Sequence, residues 1–392
     1  MMELLQSAVA RRALEGVVER RVMETAVRLC AAPSPTCSAG PAAEALETIL
    51  RGDGFAVERP AADWPQSLAV VVRFSHGSPT RTIQFNGHLD TVHLPFVPPQ
   101  VKDGVLRGSG ASDMKGGVAA AVEALRALRE AGAEARVLLT THDHHEAPWG
   151  DGRQLRALIR EGYVGDGVLL PEYLMDRLGI AGRGLSVLRI RVWREGEPLH
   201  EVLRPAGQPD VIGAGCEVVR RLKTLNAELA RKTHPVAGVA STFVGKFQAG
   251  EIFNQSPTEC RIEGTRRWLP GESGEAAREQ VRVLLAEVAR ETRTQVECEF
   301  STPGDAFELD PEGPLARAFQ RAHLAAAGRN LPVGVKPFLD DGNNFASLAG
   351  IPAVTHGPNA TGAHTLDERV PISELVRVAK VYALTAVAFC AR

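Results

Sequence analysis

A short apolar run that ends in a polar pair is the feature that most constrains this chain. Residues 82–85 (Thr-Ile-Gln-Phe) have the β-branched and aromatic character of a buried strand. His88 and Asp90 follow, and residues two apart in a strand face the same side. A neutral imidazole can bind a metal ion through one nitrogen while a carboxylate on the other nitrogen fixes its tautomer. The pattern therefore makes His88 and Asp90 candidate site residues.

A second motif follows this pair after a loop. Gly110 and Asp113 precede the run Met114-Lys115-Gly116-Gly117, after which an alanine-rich segment has helical character. A histidine and an aspartate two residues apart are common in loops by themselves. Their combination with the second motif is much more specific, so Asp113 joins His88 and Asp90 as a candidate site residue.

Strand and helix patterns alternate through the first part of the chain. Apolar runs predict strands at 68–74, 82–85, 137–141 and 167–170, and helical patterns lie at 17–30, 39–52, 116–131 and 155–160. This alternation predicts an α/β layer with a largely parallel sheet. Ligands gather at the carboxyl ends of the strands in such sheets. The polar residues at or just after these ends are His88, Asp113, the cluster 142–146 and Glu172.

The pattern changes near Leu185. Residues 185–193 alternate between apolar and polar side chains, and a helix, two strands, a helix and a final strand follow. This order of elements is ferredoxin-like. We therefore predict an inserted α+β domain at 186–301 and a catalytic domain formed by 1–185 and 302–392.

Length, charge and cysteine usage limit the class of protein. A length of 392 residues favours two domains, and a formal net charge of −2 gives no support for nucleic acid as a partner. The six cysteines show no Cys-x-x-Cys spacing, which indicates reduced thiols in a cytoplasmic protein. Charged residues interrupt the apolar ones near the N-terminus, so no signal peptide is predicted. No apolar run approaches the ~20 residues of a membrane span.

The motifs around His88 and Asp113 resemble those of the dinuclear zinc amidohydrolases and peptidases. This family includes aminoacylase, acetylornithine deacetylase, succinyl-diaminopimelate desuccinylase and the glutamate carboxypeptidases. The resemblance covers nearly the whole chain and implies a catalytic domain of the zinc-aminopeptidase type, with an inserted domain that serves as a lid or for dimerisation. It also implies that His88 is a zinc ligand, that Asp90 orients it, and that Asp113 bridges two metal ions.

The same resemblance implies two further ligands. Glu172 follows a buried strand and precedes the turn 182–185 (Arg-Gly-Leu after a glycine), where the family has a carboxylate ligand. His364 follows Gly357-Pro358 and precedes an acidic pair, as the family's terminal zinc ligand does. His356 has no counterpart in the family and is interpreted as structural.

The segment after the third strand departs from the family pattern. The family has Asp-Glu-Glu there, with the first glutamate as general base and the second as a metal ligand, whereas this chain has Asp143-His144-His145-Glu146. Direct alignment puts His144 at the base and His145 at the ligand, and a bulge of one residue would bring Glu146 into one of these places. Zinc accepts imidazole nitrogen as well as carboxylate oxygen. We therefore predict His145 as a ligand and Glu146 as the base, with the exchanged roles as the alternative.

The resemblance assigns three residues of the inserted domain to the substrate. His200 matches a histidine that stabilises the oxyanion, often in the active site of the partner subunit, and Asn254 matches an asparagine that approaches the substrate. Arg267 lies in a match to Arg-x-x-Pro-Gly-Glu, whose guanidinium binds a substrate carboxylate. The adjacent Arg266 is the alternative. Residues 340–342 are assigned a support role only.

The sequence as a whole predicts a metal-dependent hydrolase that cleaves the amide bond of an N-acyl amino acid or of a short peptide with a free carboxylate. An aminopeptidase is a second possibility among enzymes. The rival hypothesis is a protein of the same fold that has lost catalysis and binds a small ligand, which only the altered segment 142–146 supports. We further expect two divalent ions (zinc, or else cobalt or manganese), a homodimer, a cytoplasmic location, and no nucleic acid or membrane partner.

Overall fold

The computed structural model describes residues 2–391. Its helices are α1 (Met2–Gln6), α2 (Ala8–Glu15), α3 (Glu19–Ala31), α4 (Gly40–Gly52), α5 (Lys115–Glu130), α6 (Arg153–Arg160), α7 (Val211–Leu229), α8 (Gly274–Thr292), α9 (Pro314–Ala327), α10 (Asp341–Asn344) and α11 (Ile372–Cys390). Its strands are β1 (Val57–Glu58), β2 (Val70–His76), β3 (Thr82–His88), β4 (Gln100–Lys102), β5 (Val105–Arg107), β6 (Ala135–His142), β7 (Gly167–Leu170), β8 (Leu178–Gly182), β9 (Gly184–Trp193), β10 (Leu199–His200), β11 (Thr233–His234), β12 (Gly238–Val239), β13 (Ser241–Ala249), β14 (Gln255–Ser256), β15 (Glu259–Trp268), β16 (Gln295–Gly304), β17 (Phe307–Glu308), β18 (Val333–Val335), β19 (Ala353–Thr355) and β20 (Arg369–Pro371).

A six-stranded sheet forms the centre of the first of two compact units, which comprises 2–180, 309–335 and 340–391. The strand order is β1-β2-β6-β3-β7-β19, in which both pairs that involve β2 are antiparallel and the other three pairs are parallel. β3, β6 and β7 are buried over almost their whole length, which explains the apolar runs at 137–139 and 167–170. The predicted α/β unit with a largely parallel sheet is confirmed.

Helix α5 joins two parts of the chain that carry candidate site residues. It packs against α3 and α11, and every residue from Lys115 to Leu128 is buried. A Cβ at Gly117, in its first turn, would lie 2.2 Å from the backbone oxygen of Pro171. Only a glycine permits this approach, which brings the segment after Asp113 against the segment before Glu172.

The second unit comprises 181–308 and 336–339. Its sheet has the order β13-β15-β9-β16, with antiparallel pairs throughout, and α7 and α8 pack against it. The side chains of strands and helices form one buried apolar cluster, which includes Leu188, Ile190, Val192, Val218, Leu222, Ile262, Val281, Leu285 and Val288. The order strand, helix, two strands, helix, strand confirms the predicted ferredoxin-like fold.

The predicted insertion at 186–301 lies inside the bounds of the second unit. A role of this unit as a lid or dimerisation surface stays a prediction. Among the helices of residues 2–391, none combines the length and the apolar character that a membrane span requires.

Gly117→Ala should destabilise the chain, because the new methyl group has no space beside Pro171. Overpacking of this kind costs ~1–3 kcal/mol. Gly52→Ala is the matched control, since a Cβ at Gly52, which is also helical, meets nothing within 4 Å. Urea unfolding of the unaltered chain and both variants measures the effect. A Gly117→Ala midpoint equal to that of the unaltered chain would contradict the close packing.

Candidate metal centre

The predicted ligands of the first unit meet at one edge of its sheet. His88 is the last residue of β3, Glu172 follows the end of β7, and Asp113 lies just before α5. His364 lies in the loop between β19 and β20. The carboxyl ends of the parallel strands β3 and β7 lie side by side, as expected for a ligand site in an α/β sheet. His88, Asp113 and Glu172 are buried, whereas the side chain of His364 is 52% exposed.

Asp113 lies between two histidines. Its Oδ1 is 3.1 Å from Nε2 of His88, and its Oδ2 is 3.2 Å from Nε2 of His364. Burial opposes ionisation, but hydrogen bonds from His364 and His88 outweigh it and hold the pKa of Asp113 below its ordinary range. Hydrogen bonds to Asp113 and Glu146 in turn raise the pKa of His364 to about 10. A carboxylate whose two oxygens face different imidazoles has the geometry of a bridging ligand.

The buried carboxylate of Glu368 holds the loop that carries Asp113. Its Oε1 accepts the backbone N–H of Gly110 at 3.0 Å, and its Oε2 accepts those of Ser112 and Asp113 at 3.1 Å each. The loop that contains His364 therefore contacts both the side chain and the backbone of Asp113. This fixes the position of the shared carboxylate.

Among residues 2–391, two groups of side chains lie close enough together to hold a metal ion. They are His88, His145 and Glu172, and His88, Asp113 and Glu146, with one donor atom from each residue within 4.8 Å of the others in its group. Oε1 of Glu172 is 3.8 Å from Nε2 of His88 and 3.9 Å from Nε2 of His145. Oε2 of Glu146 is 3.1 Å from Nε2 of His364. Imidazole nitrogens and carboxylate oxygens are common metal ligands, so the residues fit divalent ions.

The backbone takes an unusual conformation at His144, just before the two candidate residues His145 and Glu146. His144 has a φ of 67°, which is uncommon for a residue other than glycine. Its ring packs edge-on against Trp64, with the ring centroids 4.2 Å apart. In this conformation both His145 and Glu146 lie among the candidate ligands.

Asp90 connects His88 to the segment that carries Glu146. The Nδ1–H of His88 donates to the backbone oxygen of Asp90 at 2.9 Å, and the Asp90 Oδ1 is 3.6 Å from the same nitrogen. The Asp90 Oδ2 accepts the backbone N–H groups of His145 and Glu146 at 3.0 Å each. Because Nδ1 of His88 is a donor here, Nε2 is the nitrogen that faces Asp113.

Asp341 contacts two histidines, although the sequence predicts only a support role for it. Its Oδ1 is 2.9 Å from Nδ1 of His145, and its Oδ2 is 2.8 Å from Nε2 of His142. Burial opposes ionisation, but the two histidines hold the pKa of Asp341 well below its ordinary value. Burial lowers the pKa of His145, but Asp341, Glu172 and Glu146 together raise it well above its ordinary value. The resemblance of residues 340–342 to the family does not indicate this contact, because Asp341 lies 196 residues from His145.

In the second unit, His200 and Asn254 lie next to each other. Nδ2 of Asn254 is 3.0 Å from Nε2 of His200, and the two residues are brought together by the pairing of β10 with β14. His200 is exposed. Exposed apolar side chains lie in the segments after β10 and before β14, namely Val202, Leu203, Ile252 and Phe253, the last with 97% of its surface exposed.

Arg267 in β15 is partly buried, and burial together with the positive charge of Arg183 lowers its pKa. Arg183 donates to the backbone oxygen of Val239 at 3.1 Å. The alternative residue, Arg266, is buried and donates to Gln280 at 3.1 Å.

Asp90→Asn should weaken metal binding by ~10- to 100-fold, the usual effect of changing a residue that orients a ligand. The amide oxygen would keep the backbone N–H groups of 145–146, and the NH₂ group would then face Nδ1–H of His88 in place of the negatively charged oxygen at 3.6 Å. Competition with a chromophoric chelator measures the affinity. Asp103→Asn, at an exposed position, is the control. Equal affinity in Asp90→Asn and the control would contradict the orienting role.

Known proteins resemble this chain in sequence and in fold. The model of peptidase family M20/M25/M40 matches residues 84–388. A succinyl-diaminopimelate desuccinylase from Cereibacter sphaeroides is 27% identical over 370 residues, which cover 89% of this chain and 94% of that protein. Aminopeptidase PepT from Bacillus cereus superposes with a TM-score of 0.80 at 18% identity, over 95% of this chain and 99% of that one. A dinuclear metal-binding peptidase of the M20 family from Bacillus subtilis gives a TM-score of 0.69 at 16% identity, over 95% and 98%.

The family model covers most of the chain, and the two solved structures share its fold. These findings confirm the predicted resemblance and the prediction of a metal-dependent hydrolase that acts on amide bonds. They do not favour the hypothesis of a protein that has lost catalysis. The chain therefore belongs to peptidase family M20/M25/M40.

Proposed function

We propose that this chain hydrolyses the amide bond of an N-acyl amino acid or short peptide that carries a free carboxylate. The observation that carries the proposal is the position of Asp113, whose two oxygens contact His88 and His364. The similarity to a desuccinylase and to peptidases supports this class of substrate. The positive charges of Arg267 and Arg183 act on each other, which supports the proposal that the substrate carries a free carboxylate.

We propose that two divalent ions, zinc or else cobalt or manganese, bind to the first unit. His88 and Glu172 would hold one ion, Glu146 and His364 would hold the other, and Asp113 would hold both. Such a mixed set of nitrogen and oxygen ligands suits zinc. When bound, a pair of divalent ions polarises the substrate carbonyl and lowers the pKa of the attacking water.

The distances favour the exchanged roles for His145 and Glu146. Oε2 of Glu146 lies 3.1 Å from Nε2 of His364, so these two residues are placed to share an ion. Nδ1 of His145 is already in contact with Asp341, which leaves Nε2 to face the site. We therefore propose Glu146 as a ligand and His145 as the proton acceptor. Metal content of variants distinguishes this from the original assignment, in which His145 binds metal with His88.

Each of these side chains would then have its own role in the reaction. Nε2 of His145 would accept a proton from the attacking water and pass it to the leaving amine. The charges of Glu172 and Glu146 raise the pKa of His145, and cations on these two carboxylates would offset that part of the shift. His200 would donate a hydrogen bond to the developing oxyanion, and Asn254 would contact the substrate.

We also propose a homodimer located in the cytoplasm. The exposed apolar side chains beside His200 and Asn254 support a protein contact at this part of the second unit. His200 could then act in the active site of the partner subunit. The free state of all six cysteines is consistent with a reducing compartment.

The proposed activity can be tested directly with the purified chain loaded with zinc, cobalt or manganese. We expect turnover of at least one N-acyl amino acid or dipeptide with a free carboxylate, and loss of that turnover on chelation. Failure of every such substrate with all three metals would refute the proposal.

Glu146→Gln and His145→Gln should differ in metal content. Glu146→Gln should lose affinity for one of two ions, because a neutral amide is a poor metal ligand. His145→Gln should keep both ions and lose kcat by ~10²- to 10⁴-fold, the usual contribution of a general base. Metal analysis and kcat are measured on the same preparations. Full metal content with lost kcat in Glu146→Gln would restore the original assignment.

Arg267→Ala should raise KM by about 10- to 150-fold, equivalent to the ~1.5–3 kcal/mol of a charged hydrogen bond. Arg261→Ala is the matched control, since Arg261 lies in the same strand with its side chain 69% exposed. Steady-state kinetics with a substrate and its carboxamide analogue provide the measurement. If the unaltered enzyme turns over both equally well, Arg267 does not bind a substrate carboxylate.

A further inference from the structure

The carboxylate of Asp341 is held rigidly. Asp341 begins the short helix α10, and the preceding residue, Asp340, caps that helix by accepting the backbone N–H of Gly342 at 2.8 Å. Thr355 at the end of β19 donates to Asp340 at 2.5 Å. The backbone of Asp341 is thus fixed to the central sheet through its neighbour.

Two donors also fix the rotation of the Asp341 carboxylate. Its Oδ2 accepts hydrogen bonds from Nδ2 of Asn86 and Nε2 of His142, both at 2.8 Å. The hydroxyl of Thr140 donates to Oδ1 of Asn86, so the amide of Asn86 can only present its N–H₂ group to Asp341. Oδ1 of Asp341 is left to face His145.

The ring of His145 is held in turn by two contacts. Its Nδ1 is 2.9 Å from Oδ1 of Asp341, and an ionised carboxylate can only accept, so Nδ1 carries the hydrogen. Its ring stacks on that of His88, with the centroids 4.0 Å apart and the planes inclined by 3°. Nε2 of His145 therefore points into the ligand group, 3.9 Å from Oε1 of Glu172.

We propose that Asp341 is a positioning residue, which fixes His145 in the tautomer with hydrogen on Nδ1 and directs the Nε2 lone pair at the reacting water. This inference rests on the proposed function, in which His145 accepts the proton. The contacts of Asp341 with Asn86, His142 and His145 carry the proposal. Asp341 and His145 then form a functional pair.

A double-mutant cycle tests this pairing. Asp341→Asn in the unaltered chain should lower kcat by ~10- to 100-fold, because one amide oxygen cannot accept from Asn86, His142 and His145 together. KM should change by less than about threefold, and two ions per chain should remain, since Asp341 would not hold a metal itself. In a His145→Glu background, Asp341→Asn should leave kcat unchanged or raise it, because the substitution removes a repulsion.

Asp143→Asn is the matched structural control. Asp143 is also buried, but its carboxylate accepts the backbone N–H groups of Cys37 and Ala39 at 2.8 and 2.9 Å. Its substitution should therefore have the same effect on kcat in both backgrounds. If Asp341→Asn behaves like this control, with equal losses in both backgrounds, Asp341 is merely structural and the proposal is overturned.

Nitrogen-15 NMR of the zinc-loaded chain gives a readout that does not depend on turnover or on an active His145→Glu variant. The neutral ring of His145 should carry its hydrogen on Nδ1 in the unaltered chain, and a mixture of tautomers should appear in Asp341→Asn. Hydrogen on Nε2, or identical spectra of the two proteins, would overturn the positioning role. Failure of all substrates with the unaltered enzyme would instead refute the proposed function, and the NMR result would still decide the role of Asp341.

Discussion

The carboxylate of Asp113 contacts both His88 and His364, and these two contacts bring the candidate ligands of the first unit together. Asp113, Glu146 and Glu172 are all buried, and burial of carboxylates is costly unless they are paired with positive charge or hydrogen-bond donors. Imidazoles supply this compensation at Asp113 and Glu146. These groups meet at one edge of the sheet. They are carried there by the start of helix α5, the ends of β3 and β7, the segment after β6, and the loop between β19 and β20.

The backbone of the segment after β6 brings both His145 and Glu146 to the candidate site. His144 takes the positive φ and turns its ring to Trp64, while Asp90 accepts the backbone N–H groups of the next two residues. Asp341 places a carboxylate 2.9 Å from Nδ1 of His145. In the proposed mechanism His145 accepts the proton, and the carboxylate of Asp341 acts only through this histidine.

The parts of the fold that the sequence predicts are those determined by local pattern. The buried strands β3 and β7, the glycine-rich start of α5 and the alternation in β9 each have a signature within a few residues. The contact between Asp341 and His145 has none, because it joins positions 196 residues apart. The positive φ of His144 is likewise not predicted by the local sequence Asp-His-His-Glu. The sequence therefore identifies His145 and Glu146 as the candidate ligand and base, but it does not decide which residue has which role.

Glu368 connects parts of the candidate metal centre that are far apart in sequence. Its carboxylate accepts three backbone N–H groups of the loop 110–113, and the nearest of these in sequence is 255 residues away. During synthesis, His88 and Asp113 leave the ribosome long before the residue that secures their loop. The loop 110–113 therefore lacks these three hydrogen bonds until Glu368 has been synthesised, so the position of Asp113 is secured only after most of the first unit has emerged.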